Sequence, residues 1–93
     1  KFPTVTRDVS LLDKSGHSVA EIADFMKKTG GSLVLDVELF DIFQKDGKRS
    51  LAFHVEFGKD DRTLESKEVD KVMKNMIEGL ERQLELIVRK QDN

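Results

Sequence analysis

Asp41, Phe43 and Ser50 are the side chains whose types and spacing carry the most chemistry in this chain. Asp46-Gly47 is a strong signal for a two-residue hairpin turn. Closing the chain there sets Lys45 opposite Lys48, Phe43 opposite Ser50 and Asp41 opposite Ala52. Phe43 then offers a flat ring for stacking, Asp41 an acceptor two residues away on the same face, and Ser50 a hydroxyl directly across. Stacking combined with hydrogen bonds to a base edge is how proteins hold an unpaired base. Guanine, with N1–H and N2–H2 donors on its Watson–Crick edge, is the base that suits a carboxylate. At the hairpin tip Lys45, Lys48 and Arg49 outnumber Asp46. A plainer reading has Phe43 covering the hairpin end and the basic tip serving solubility. Pattern alone leaves both open, because single exposed apolar residues are common.

Other chemistries find less support. Cysteine is absent, which excludes disulfides, thiolate nucleophiles and Cys-ligated zinc and permits a reducing compartment. The two histidines, His17 and His54, make no HxH or HxxxH pair, so no His-based metal site is expected. His17 reads as a solvated loop residue and His54 as an exposed sheet residue. Asp60-Asp61 reads as a solvated turn. Asp70–Lys74 and Glu78–Arg82 are helix-surface pairs worth about 0.2–0.5 kcal/mol each. The 16 basic and 18 acidic residues leave a formal charge of −2, which excludes a polybasic or an acidic tail. No apolar run nears the roughly 20 residues that cross a bilayer, and no basic-then-apolar leader is present. The first residue is Lys1 rather than Met, as expected for a piece of a longer chain.

At 93 residues, with 38% apolar, the chain is expected to form one domain over residues 1–93. Thr6 to Leu12 alternates as a strand with Val9 and Leu11 inward and Asp8, Ser10 and Leu12 outward. Asp13-Lys14-Ser15-Gly16 reads as a loop. Ser18 and Glu21 have the spacing of a capping box. The helix they open carries Val19, Ile22, Ala23 and Met26 and stops at Gly30-Gly31. Leu33 to Phe43 is a second strand in which Leu33, Leu35, Val37 and Leu39 face inward. The phase then flips, with Phe40 and Ile42 as the apolar pair, which predicts a β-bulge near Leu39-Phe40. In this register Phe40 meets Phe53 and Ile42 meets Leu51 on the core face. The third strand carries Leu51, Phe53, Val55 and Phe57 inward. Val69, Val72, Met73, Met76, Ile77 and Leu80 form the apolar stripe of a second helix, begun at Glu65 or Ser66. Leu84 to Val88 reads as a fourth strand before a polar tail. The fold class is therefore α+β. The ferredoxin-like split βαβ arrangement (βαββαβ) gives a four-stranded antiparallel sheet with two helices on one face.

With these residues placed, the sequence resembles the C-terminal ferredoxin-fold anticodon-binding domain of phenylalanyl-tRNA synthetase β subunits. The resemblance runs through Phe2-Pro3 with Arg7-Asp8, Lys28-Thr29-Gly30-Gly31, Leu39-Phe40-Asp41-Ile42, Lys48-Arg49-Ser50-Leu51-Ala52-Phe53, and Asp61-Arg62-Thr63-Leu64 followed by Glu68-Val69. It implies a tRNA anticodon-binding module of a cytoplasmic phenylalanine–tRNA ligase. The parent would use ATP and magnesium and assemble as α2β2 with catalysis in the α subunit. The partner implied for this chain is the tRNA-Phe anticodon, whose first base is guanine. The family's aromatic stacker falls on Phe43 and its hydrogen-bonding Asp and Ser on Asp41 and Ser50. Arg7, Lys45, Lys48 and Arg49 are the cations expected near the RNA backbone. Phe43 stands where Tyr is common. The Gln44–Arg49 connection is shorter than the common family loop by about four residues, an even number that keeps the facing of the strands.

No catalytic residue, metal ligand or cofactor is assigned within this chain, so it is expected to have no ligase activity of its own. The alternative is a ferredoxin-like small-molecule regulatory domain, which needs a ligand loop after the first strand, at Asp13–Gly16. An acylphosphatase-like enzyme needs an arginine-bearing phosphate cradle there, whereas Arg7 comes before it. An RNA-recognition-motif protein needs outward aromatics on the third strand, whereas Phe53 and Phe57 alternate inward.

Overall fold

The computed structural model describes residues 2–92. Lys1, and Asn93 at the end of the expected polar tail, lie outside the described residues. The elements run β1 (Val5–Asp13), α1 (Val19–Gly30), a 3-10 turn (Gly31–Leu33), β2 (Val34–Lys45), β3 (Lys48–Phe57), α2 (Ser66–Gln83) and β4 (Ile87–Asp92). The four strands form one antiparallel sheet in the order β2-β3-β1-β4. This is the ferredoxin-like α+β fold that the pattern predicts. Both helices pack on one face. Val9, Leu11, Leu51, Phe53, Val55 and Phe57 from the sheet meet Ile22, Met26, Val69, Met73, Met76 and Leu80 from the helices, all buried.

Local chemistry sets the element ends. Ser18 Oγ accepts from the Glu21 backbone N–H at 3.0 Å. The reciprocal half of that box is replaced, because the Glu21 carboxylate lies 3.2 Å from His17 Nδ1 instead. Helix α2 has the complete box, with Glu65 and Glu68 capping each other's backbone N–H groups. The Glu68 carboxylate also takes a two-pronged bond from Arg62 at 2.5 and 2.7 Å, which, with the Glu65 N–H, holds its pKa down at about 2. Gly31 ends α1 at φ 64°, a conformation that L side chains resist. The hairpin turn has positive φ at both Asp46 (54°) and Gly47 (75°), the twist that suits paired antiparallel strands.

Several expectations are corrected. Strand β2 begins at Val34, and a register shift between Val34 and Asp36 turns Leu35 outward, 53% exposed. The bulge between Leu39 and Asp41 occurs where the phase flip places it. Its pairing differs by one residue: Leu39, not Phe40, sits opposite Phe53, and Phe40 is the extra residue, half exposed. Ile42 does pair with Leu51, yet remains exposed. Leu84–Leu86 is a connector, not a strand. Leu84 caps α2, Glu85 takes φ 57°, Leu86 is buried with its N–H on the Leu80 carbonyl, and β4 starts only at Ile87.

His17 is not a solvated loop residue, and Asp13 belongs to β1 rather than to the loop after it. Asp13 closes β1 with its side chain fully buried. One carboxylate oxygen accepts from the N–H groups of Ser15 and Gly16 at 3.0 and 3.2 Å, and the other from Arg49 Nη2 at 2.7 Å. Burial pushes this carboxyl up, but Arg49 and the two N–H groups outweigh it and hold it below the usual range. Arg49 also donates to the His17 carbonyl. His17 Nε2 lies 2.7 Å from the Leu84 carbonyl and so donates to it, while Nδ1 faces Glu21. The Leu84 carbonyl first, then Glu21, raises the His17 pKa.

Asp13→Ala is expected to destabilise the domain by about 3 kcal/mol, at the low end for breaking a buried pair because Arg49 keeps the His17 carbonyl. Equilibrium denaturation measures this, and a loss below about 0.5 kcal/mol overturns it. A raised folded-state pKa makes the His17 contribution complete below the unfolded value near 6.5 and removes it as pH rises through the folded value. Wild type should therefore exceed His17→Gln in stability by more at about pH 6 than at about pH 9. An equal gap at both pH values contradicts the ion pair.

Candidate nucleic-acid interface

The helices cover one face of the sheet and leave the other open. On that face β3 presents Ser50, Ala52, His54 and Glu56. Across the two registers, β1 presents Thr6, Asp8, Ser10 and Leu12, and β2 presents Asp36, Glu38, Asp41 and Phe43. Asp41 pairs with Ala52 and Phe43 with Ser50, so the three predicted site residues are brought together. They line an open concavity of about 370 Å³ together with Ser10, Ala52 and Arg89. Phe43 is the most exposed of the large apolar side chains, at 61%. An adjoining concavity of about 450 Å³ continues past Leu12 to Lys45, Asp46 and Lys48 at the hairpin tip.

Two of the predicted cations are not at this site. Arg7 shares the parity of Val9 and Leu11, so it lies on the helix-covered side, where its Nη2 is 3.5 Å from Asp70 of α2. Asp70 is thereby engaged with β1 as well as standing four residues from Lys74. Arg49 shares the parity of Leu51 and is held by Asp13, its charge compensated in the fold. Lys45 and Lys48 remain at the tip and exposed.

Arg89 takes the place that those two arginines leave. It is the extra residue of a second bulge, since Leu11 pairs with Val88 while Ser10 pairs with Lys90. Arg89 reaches the open face, with Nη1 3.5 Å from Ser50 Oγ, and it borders both concavities. The sequence pattern does not reveal it: the expected strand, Leu84 to Val88, starts three residues and ends four residues before the observed β4, and Arg89 lies just beyond it. The parity of Arg7 with Val9, by contrast, was available in the sequence.

Charge is divided along the open face. The hairpin end carries Lys45, Lys48 and Arg89. The opposite end gathers Asp8, Asp36, Glu38 and Glu56 around His54. Among the described residues, no group of three or more His, Asp or Glu side chains is arranged to hold a metal ion. Nor is any described helix long and apolar enough to cross a membrane.

The family model for the ferredoxin-fold anticodon-binding domain matches residues 1–89. The chain belongs to that family. It is 37% identical over 93 residues to the phenylalanine–tRNA ligase beta subunit of Listeria monocytogenes, 39% to that of Acinetobacter baylyi, and 37% over 87 residues to that of Thermotoga maritima. These alignments cover 96%, 96% and 89% of this chain. The chain spans 12%, 12% and 11% of those curated relatives. For an anticodon-binding domain, an open sheet face with a stacking ring, a carboxylate and a basic margin is a chemically suitable surface.

Because Phe43 projects from the open face, Phe43→Ala should change stability by no more than about 0.5 kcal/mol. Denaturant midpoints for the two proteins check this. Unfolding of the variant would make Phe43 a core residue.

Proposed function

We propose that this domain is the anticodon-binding module of a phenylalanine–tRNA ligase β subunit and takes the first anticodon base, guanine, into the Asp41–Phe43–Ser50 concavity. The supporting observation is the convergence of a stacking ring, a carboxylate, a hydroxyl and an arginine in one open concavity on the uncovered face. Phe43 stacks on the base. The Asp41 carboxylate accepts from N1–H and N2–H2, a charge-assisted pair that adenine cannot supply in that geometry. Ser50 adds a donor or acceptor, and Arg89, beside it, meets the ribose-phosphate together with Lys45 and Lys48. Aminoacylation of tRNA with phenylalanine, using ATP and magnesium, belongs in this proposal to the cytoplasmic α2β2 parent and its α subunit. The regulatory-domain alternative loses its ligand loop, because the Ser15 and Gly16 N–H groups are already taken by the Asp13 carboxylate.

Binding of anticodon stem-loops carrying G or A at the first position tests this reading. Phe43→Ala should weaken binding of the G form by about 1–3 kcal/mol, the usual loss for a base-stacking aromatic. Asp41→Ala should lower the G-over-A preference more than it lowers overall binding, and an unchanged ratio removes Asp41 from base reading. Three phosphate-directed cations on a single strand give a slope of log K against log salt of about −2. Arg89→Gln should make that slope shallower, whereas Arg7→Gln should leave it unchanged.

A further inference from the structure

Beside that concavity the open face carries a second aromatic surface. The Phe40 ring lies flat on the His54 imidazole, with centroids 3.7 Å apart and planes within 8°. His54 is itself held, its Nδ1 2.5 Å from Asp8 Oδ1. Asp8, His54 and Phe40 thus form a row of three side chains from β1, β3 and β2, joined by one hydrogen bond and one ring stack. One face of Phe40 is covered by His54, yet the residue is still 48% exposed, which leaves the other ring face open to solvent. An unsupported surface phenylalanine must lose rotamer freedom when a ligand stacks on it. This ring has lost that freedom already, so stacking on it carries a smaller entropic cost.

The place of this ring is as informative as its rigidity. Phe40 is the bulged residue directly before Asp41, and His54 lies two residues along β3 from Ala52, which lines the first concavity. The two surfaces are therefore neighbours: along β3, His54 is about 7 Å from Ala52 and about 13 Å from Ser50, the partner of Phe43. Around His54, besides the Asp8 that holds it, the polar groups of this second surface are the carboxylates of Asp36, Glu38 and Glu56. Such a surround suits a base with an exocyclic amino group and disfavours a phosphate.

We infer that the outer face of Phe40, braced by His54 and Asp8, is a stacking platform for the second anticodon base, one bearing an exocyclic amine. This rests on the anticodon reading above and extends it from one base to two. The acidic end then turns the phosphates toward Lys45, Lys48 and Arg89, so that the strand lies with its bases along β2 and β3. His54 lies against the Phe40 ring and Asp8 holds His54, so both act on the base through Phe40 as positioning residues.

Stem-loops carrying 2-aminopurine at the first or at the second anticodon position test this, since the fluorescence of that base is quenched on stacking. Wild-type domain at saturation should quench both probes. Phe40→Leu, which keeps most of the side-chain volume and removes the π-face, should abolish quenching at the second position and retain it at the first. It should weaken binding of the unmodified loop by about 5- to 150-fold, the range for one stacked base. His54→Ala, which leaves Phe40 in place but unbraced, should reduce second-position quenching in part. Quenching at the first position with none at the second, or second-position quenching unchanged in Phe40→Leu, overturns this inference alone. Absence of quenching at both positions overturns the anticodon reading with it.

Discussion

The extra residue in β2 at Phe40 is the constraint on which the functional face depends. Side chains along a strand alternate with a period of two, so one inserted residue exchanges the two faces from that point onward. Before the bulge, Val37 and Leu39 face the helices. After it, Asp41 and Phe43 face away from them. An unbulged strand would drive Phe43 under the helices and lay Ile42 on the open face. The helices do not reach the far end of the hairpin, so Ile42 stays exposed even on the core side. The same shift leaves the Phe43 ring exposed on the other side.

Both edge strands are bulged, β2 at Phe40 and β4 at Arg89, while the pairing of the central strands β1 and β3 runs without interruption. The regular pair is the scaffold, and the irregular edges aim side chains inward across it. A site carried on strands in this way is held more closely than one carried on loops. The end of the scaffold nearest the hairpin is tied by Asp13 and Arg49, and His17 ties the loop after β1 to the end of α2. These links hold the strand ends that the hairpin extends.

Net charge misleads here, because it averages over two unlike ends. A formal charge of −2 gives no hint of the basic concentration at the hairpin end. On the open face the basic side chains gather at the hairpin tip and the acidic ones at the other end. In the proposed binding mode such a division steers a polyanion to one end and sets its direction, which a uniformly basic face cannot do.

The sequence by itself determined the element order, the hairpin register beyond Asp41, the bulge and the shared face of Asp41, Phe43 and Ser50. Each of these follows from alternation or helical spacing among near neighbours, where facing is a matter of counting. The same counting puts Arg7 with Val9 and Arg49 with Leu51, away from the open face, so the facing of these two arginines is also legible in the sequence. Tertiary structure alone decided the rest. Arg89 reaches the site only because β4 pairs with β1 through a bulge, a match between segments far apart in the chain. The Asp13–Arg49 pair, the His17–Leu84 bond, the Phe40–His54 stack and the His54–Asp8 bond are likewise meetings of residues from different parts of the chain. Periodicity says which way a side chain points. What it meets there depends on which distant strand or helix end packs beside it, and that is set by burying one common core.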